Sequence, residues 1–117
     1  MAKVMIVDDD HTMVKLLQTL LELDGFDVSV ARQGGDVINV ATESKPDILL
    51  MDYHLTDTTG VEVLKKLRAS TEFATIPVVI ASGMNVEDEV IAAGANAFLV
   101  KPFEPDELPI LFNRLIG

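Results

Sequence analysis

Four short apolar runs, Val4 to Val7, Ile48 to Met51, Val78 to Ala81 and Phe98 to Val100, are spaced along the chain with stretches of helical period between them. A fifth segment, Phe26-Asp-Val-Ser-Val, alternates apolar and polar residues and reads as a further strand. Continuous apolar runs of this length are the mark of strands buried on both faces, which is how strands of a parallel sheet are placed. A βαβαβαβαβα alternation then leaves mainly one solution: right-handed crossovers, a parallel sheet and helices on both of its faces. Parallel strands bring their carboxyl ends to one edge. The residues that follow the four runs are Asp8, Asp9 and Asp10, then Asp52, then Ser82, then Lys101. One edge of the sheet is therefore expected to hold a group of carboxylates, a hydroxyl and an ammonium.

The connecting segments support this reading. Met13, Leu16, Leu17, Leu20 and Leu21 fall at helical spacing, with Asp10 placed to cap the helix and Gly25 to end it. Gly34-Gly35 precedes a shorter helix carrying Val37, Ile38 and Ala41, and Lys45-Pro46-Asp47 breaks the chain before the run that ends at Asp52. After a loop closed by Gly60, Val61, Leu64 and Leu67 share a face of a third helix, and Pro77 precedes the next strand. A short fourth helix is predicted over Val86 to Ala93. The last helix carries Leu108, Leu111, Phe112, Leu115 and Ile116, with Pro109 expected in its first turn, where a missing N–H costs least.

With 117 residues, 49% of them hydrophobic, residues 1–117 suit one domain with a real core. Nineteen acidic against nine basic residues give a net charge of −10, which opposes nucleic acid and anionic membrane surfaces as partners of this domain. Cysteine is absent, which excludes disulfides and thiolate metal sites. No apolar run approaches the roughly 20 residues that span a bilayer, and a cytoplasmic location is expected.

Carboxylates gathered at one edge repel: two unit charges about 4 Å apart cost roughly 4 kcal/mol at an effective dielectric near 20. A raised pKa, the Lys101 ammonium or a bound divalent cation would compensate, and an all-oxygen donor set suits Mg²⁺ or Mn²⁺ better than zinc. Such a cation leaves positions open for phosphoryl oxygens, and an aspartate beside it can attack phosphorus to form an acyl phosphate. Phosphoryl transfer asks the protein mainly for positioning and charge neutralisation, which Lys101 and Ser82 would supply with the metal.

Met5-Ile-Val-Asp8-Asp9, Leu50-Met-Asp52 with its loop ending at Gly60, Ile80-Ala-Ser82, Gly94-Ala95 and Lys101-Pro102-Phe103 together resemble the receiver domain of bacterial two-component response regulators, over essentially the whole chain. The resemblance implies a flavodoxin-like (βα)5 fold with strand order 2-1-3-4-5 in three αβα layers, an order that pattern alone leaves open. It implies that Asp52 accepts a phosphoryl group from a sensor histidine kinase or phosphotransfer protein. Mg²⁺ would be held by Asp9, Asp52 and the backbone carbonyl of His54, with Asp8 assisting. Ser82 and Lys101 would contact the phosphoryl group, Phe98 would change rotamer with Ser82, and the Lys101-Pro102 bond would be cis. A downstream effector protein or a fused output domain would read the result, so the domain is expected to be a switch and not a turnover enzyme. Where the family usually has Pro and Asp in the loop after the acceptor, this chain has Thr56 and Thr59, and its segment from Ser82 to Phe98 is about one helical turn shorter.

Three other readings start from the same residues. Asp8-Asp9-Asp10-His11-Thr12 satisfies the Asp-x-Asp-x-Thr signature of haloacid-dehalogenase-type phosphotransferases, with Asp8 as nucleophile and Asp10 as acid/base, but it leaves Asp52 without a role. A flavodoxin-like cofactor carrier needs a phosphate cradle after its first strand, and three acids there oppose one. A degenerate receiver would act only as a protein-interaction module, which the joint presence of Asp9, Asp52, Ser82 and Lys101 argues against.

Overall fold

The computed structural model describes residues 2–117. Its elements are β1 (Lys3–Val7), α1 (His11–Leu23), β2 (Asp27–Ala31), a 3₁₀ turn (Gly34–Asp36) running into α2 (Val37–Ser44), β3 (Ile48–Asp52), α3 (Gly60–Ala69), β4 (Val78–Ser82), α4 (Glu87–Ala92), β5 (Ala97–Val100) and α5 (Glu107–Ile116). The five strands form one sheet in the order β2-β1-β3-β4-β5, every neighbouring pair parallel. This is the flavodoxin-like topology that the resemblance implied.

The alternation of side chains along the strands explains why the apolar runs are uninterrupted. Met5, Val7, Leu49, Met51, Val78 and Ile80 face one layer, where they meet Val37, Ala41, Leu64, Leu67 and Val90 of α2, α3 and α4. Val4, Ile6, Ile48, Leu50 and Val79 face the other, against Val14, Leu17, Leu21, Leu108 and Phe112 of α1 and α5. Fully burying a side chain of this size stabilises the fold by about 1.5–3 kcal/mol, so two filled faces hold the strand ends in fixed register. In that register Val7 lies opposite Met51, Asp52 opposite Ala81 and Ser82 opposite Val100.

Helix ends follow local chemistry. The Asp10 carboxylate accepts from the N–H groups of Thr12 and Met13, both at 3.1 Å, capping α1 as expected. Gly25, at φ +91°, takes the left-handed conformation just beyond it. Thr59 caps α3 by accepting from Glu62 N. Pro109 is the third residue of α5, inside the first turn, and the Lys101-Pro102 bond is cis.

Several boundaries and faces differ from expectation. β2 begins at Asp27, and Phe26 instead fills the core edge-on against Phe112, with ring centroids 6.0 Å apart and planes at 87°. α4 is confined to six residues, Glu87–Ala92, and buries only Val90, too small an apolar face to extend the helix. On α1 the predicted face was too wide. The helix buries the stripe Val14, Leu17 and Leu21, while Leu16 and Leu20 flank it with 50% and 37% of their surface exposed. Ile116 is likewise exposed at the end of α5, and Ile38 on α2. A helix lying on a sheet covers only one narrow stripe, and apolar residues one position to the side stay in water.

Candidate functional site

At the carboxyl edge of the sheet, Asp8 follows β1 and Asp52 ends β3 on the neighbouring strand. Asp8 is buried, 6% exposed; one carboxylate oxygen accepts from Asp10 N at 3.0 Å and the other from Lys101 Nζ at 3.4 Å. Burial pushes its pKa above the usual carboxylate range; the Asp10 N–H and Lys101 work against the rise, and Asp52 adds to it. Lys101 lies just past β5, and its Nζ also donates to Asp52 Oδ1 at 3.1 Å. Burial alone would lower the lysine pKa, but Asp8 and Asp52 together outweigh it and raise the value above that of a free lysine. Lys101 therefore stays an ammonium at neutral pH.

Asp9 is exposed and takes a hydrogen bond from the Thr56 hydroxyl. Asp8, Asp9 and Asp52 each offer a carboxylate oxygen, and these atoms all lie within 4.8 Å of one another. Lys101 contacts the first and last of the three, so among the described residues Asp9 has no ion-pair partner. This oxygen-only set at the mouth of the sheet fits a hard divalent cation. Without metal the same set is a source of repulsion, and a test follows. Asp9→Asn should raise the thermal midpoint of the metal-free protein by about 3 °C while weakening Mg²⁺ binding about tenfold or more, read by calorimetry in both modes.

The loop between β3 and α3 is compact. Gly60 N donates to Tyr53 O at 2.7 Å and Leu55 N to Thr58 O at 3.1 Å, while His54 pairs with Thr59 in an isolated antiparallel bridge. A Cβ at Gly60 would lie 2.7 Å from the Asp52 carbonyl oxygen, so glycine is required by backbone contact there. His54 is exposed, its ring edge-on to Tyr53 with centroids 4.8 Å apart. The Tyr53 hydroxyl donates to Glu89 of α4 at 2.8 Å. That bond to a carboxylate raises the tyrosine pKa, because it favours the protonated phenol.

Ser82 ends β4, next to the strand that carries Asp52, and is 1% exposed. Its hydroxyl accepts from Met84 N at 3.1 Å and so faces its own loop. Phe98 sits on β5 opposite Ile80, half-buried against the layer of α2, α3 and α4. Of the residues singled out in the sequence, the fold thus brings Asp8, Asp9, Asp52 and Lys101 into direct proximity and sets Ser82 on the adjoining strand end. Asp10 is turned away and engaged as a helix cap, which leaves the Asp-x-Asp reading without its second acid. Two residues have contacts that the sequence does not announce: Thr56, noted there only as a departure from the family's usual proline, whose hydroxyl meets Asp9, and Asp57, whose carboxylate takes the N–H groups of Gly34 and Gly35, each at 2.9 Å. An Asp in a polar loop looks like an ordinary turn residue. Only its partners, 22 and 23 positions away, distinguish it.

The response regulator receiver domain family matches residues 4–113. The chain is 32% identical over 120 residues to Protein PilH of Pseudomonas aeruginosa, covering 100% of this chain and 99% of that protein. It is 38% identical over 117 residues to the transcriptional regulatory protein PrrA of Mycobacterium leprae, covering 97% of this chain and 49% of the relative, so it spans about half the length of that protein. Among solved structures, the chemotaxis response regulator CheY4 of Vibrio cholerae superposes with a TM-score of 0.90 at 28% identity, over 98% of both chains. Strand order, the disposition of the strand-end residues and these likenesses agree: the chain belongs to the receiver domain family of two-component response regulators.

Proposed function

We propose that this domain is a phosphorylation switch in which Asp52 is the phosphoacceptor. The observation that carries the reading is the position of the Asp52 carboxylate, 3.1 Å from the Lys101 ammonium and grouped with Asp8 and Asp9 within 4.8 Å. Asp9, Asp52 and the backbone carbonyl of His54 would hold Mg²⁺, or Mn²⁺ in its place, with Asp8 assisting. When bound, the cation relieves carboxylate repulsion and neutralises charge on the phosphoryl oxygens.

In the transfer, an Asp52 carboxylate oxygen forms a bond to phosphorus as the P–N bond of a phosphohistidine donor breaks, and the departing imidazole takes a proton from solvent. Lys101, already protonated, turns from the Asp52 carboxylate to a phosphoryl oxygen. The Ser82 hydroxyl gives up its contact with Met84 N and donates to another. Because Ser82 and Phe98 lie on adjoining strands, movement of the hydroxyl and its loop frees Phe98 to repack, carrying the change toward β5 and its flanking helices. The acyl phosphate is later hydrolysed, so the domain catalyses only its own modification and its reversal.

The donor is a sensor histidine kinase or phosphotransfer protein, and the reader is an effector protein or an output domain in the same polypeptide. The charge of −10 argues against nucleic acid or a membrane surface as a direct partner of this domain. No helix among the described residues is long and apolar enough to cross a membrane, in keeping with a cytoplasmic setting. Incubation with acetyl phosphate should add the mass of one phosphoryl group in the presence of Mg²⁺ and none after chelation, read by intact-mass spectrometry. Absence of an adduct under both conditions would instead support an interaction module that no longer accepts phosphate.

A further inference from the structure

The loop from Tyr53 to Thr59 is tied down by two adjacent residues, Thr56 and Asp57. The Thr56 hydroxyl donates to the Asp9 carboxylate. Asp57 receives the N–H groups of Gly34 and Gly35, both at 2.9 Å, one on each carboxylate oxygen. Two successive amides facing one carboxylate form a small anion-binding turn of the kind that holds phosphates elsewhere, here filled by the protein's own side chain. The approach is close: a Cβ on Gly34 would lie 2.4 Å from Thr58 Cγ2 and 2.8 Å from Val63 Cγ2, and one on Gly35 would lie 3.3 Å from Asp57 Oδ2. The glycine pair is thus fitted to the loop. Both amides hold the Asp57 carboxyl below its usual range, with Lys66 contributing in the same direction.

We propose that Asp57 is a positioning residue for the metal site, clasping the β3–α3 loop to the Gly34–Gly35 turn so that Thr56 keeps the Asp9 carboxylate oriented toward a divalent cation. The inference rests on reading Asp8, Asp9 and Asp52 as that site. Asp57 touches neither the cation nor Asp52, and its influence passes through one peptide unit to Thr56. Residues that orient a metal ligand directly are worth about 10- to 100-fold in affinity, so a residue one step further out should be worth about three- to tenfold. Coupling is reciprocal: if the clasp favours the cation, the cation must favour the clasp by the same factor.

Calorimetric titration with MgCl₂ alone, on the intact chain and on Asp57→Ala, Asp57→Asn and Gly34→Ala, tests this, with thermal midpoints measured in parallel. The expected result is Mg²⁺ affinity reduced about three- to tenfold in Asp57→Ala and comparably in Gly34→Ala, with a smaller loss in Asp57→Asn, which keeps one carbonyl oxygen. In the unaltered protein, Mg²⁺ should slow hydrogen exchange at the Gly34 and Gly35 amides, an effect abolished in Asp57→Ala. A merely structural clasp would lower the midpoints and leave affinity unchanged; equal Mg²⁺ affinity in the folded variants overturns the inference while leaving the metal site intact. If the unaltered chain gives neither binding heat nor a change in amide exchange with Mg²⁺, the metal-site reading fails and this inference falls with it.

Discussion

Asp52→Asn should abolish the phosphoryl adduct completely while the protein stays folded. The substitution keeps the shape of the side chain and leaves a carbonyl oxygen for Lys101, which donates to Asp52 Oδ1 at 3.1 Å. What disappears is the anionic oxygen able to attack phosphorus, and an amide does not replace it. Asp10→Asn should behave oppositely and leave phosphorylation intact. Its carbonyl oxygen can still accept from Thr12 N and Met13 N, and Asp10 stands outside the carboxylate group. Intact-mass spectra of the unaltered chain and of Asp52→Asn, Asp10→Asn and Asp8→Asn after treatment with acetyl phosphate and Mg²⁺ separate the readings. An adduct that survives in Asp52→Asn but vanishes in Asp8→Asn would overturn the assignment in favour of attack from the end of β1.

The largest loss of stability is expected from Phe112→Ala. Phe112 is fully buried on α5 and meets Phe26 edge-on, in the layer that also holds Val4, Ile6, Leu50 and Leu108. Truncating a buried phenylalanine costs about 3–5 kcal/mol through lost transfer energy and the cavity left behind, against a total of about 5–15 kcal/mol for a native domain. The urea midpoint should fall by about 2 M. Leu16→Ala provides the contrast. Half-exposed beside the buried stripe of α1, Leu16 should change stability by no more than about 0.5 kcal/mol, even though its spacing alone ranks it with Leu17 and Leu21.

That contrast also marks what a linear chain reveals. The strands are legible because each central one is buried on both faces and so written as an unbroken apolar run. Asp8, Asp9, Asp52, Ser82 and Lys101 are legible because parallel strands fix where such runs end. Helix faces are less so: periodicity identifies an apolar side of α1, but which stripe meets the sheet depends on how the helix is rotated against Ile6 and Leu50. The ends of α4 are not legible either: its apolar pattern is weak, and only Val90 anchors the six residues that form it. Asp57 is illegible, since its meaning lies in two distant glycine amides, and the bond from the Thr56 hydroxyl to Asp9 is likewise set only by the folded loop.

Lys101 bonds to Asp8 and Asp52 across 93 and 49 positions of sequence, and those are the ion pairs among the described residues. The ammonium that pairs with the acidic edge therefore follows directly on the final strand, which takes its place in the sheet by pairing with β4. A polypeptide still leaving the ribosome, or one clipped ahead of Lys101, would bear the three aspartates without the ammonium that pairs with Asp8 and Asp52.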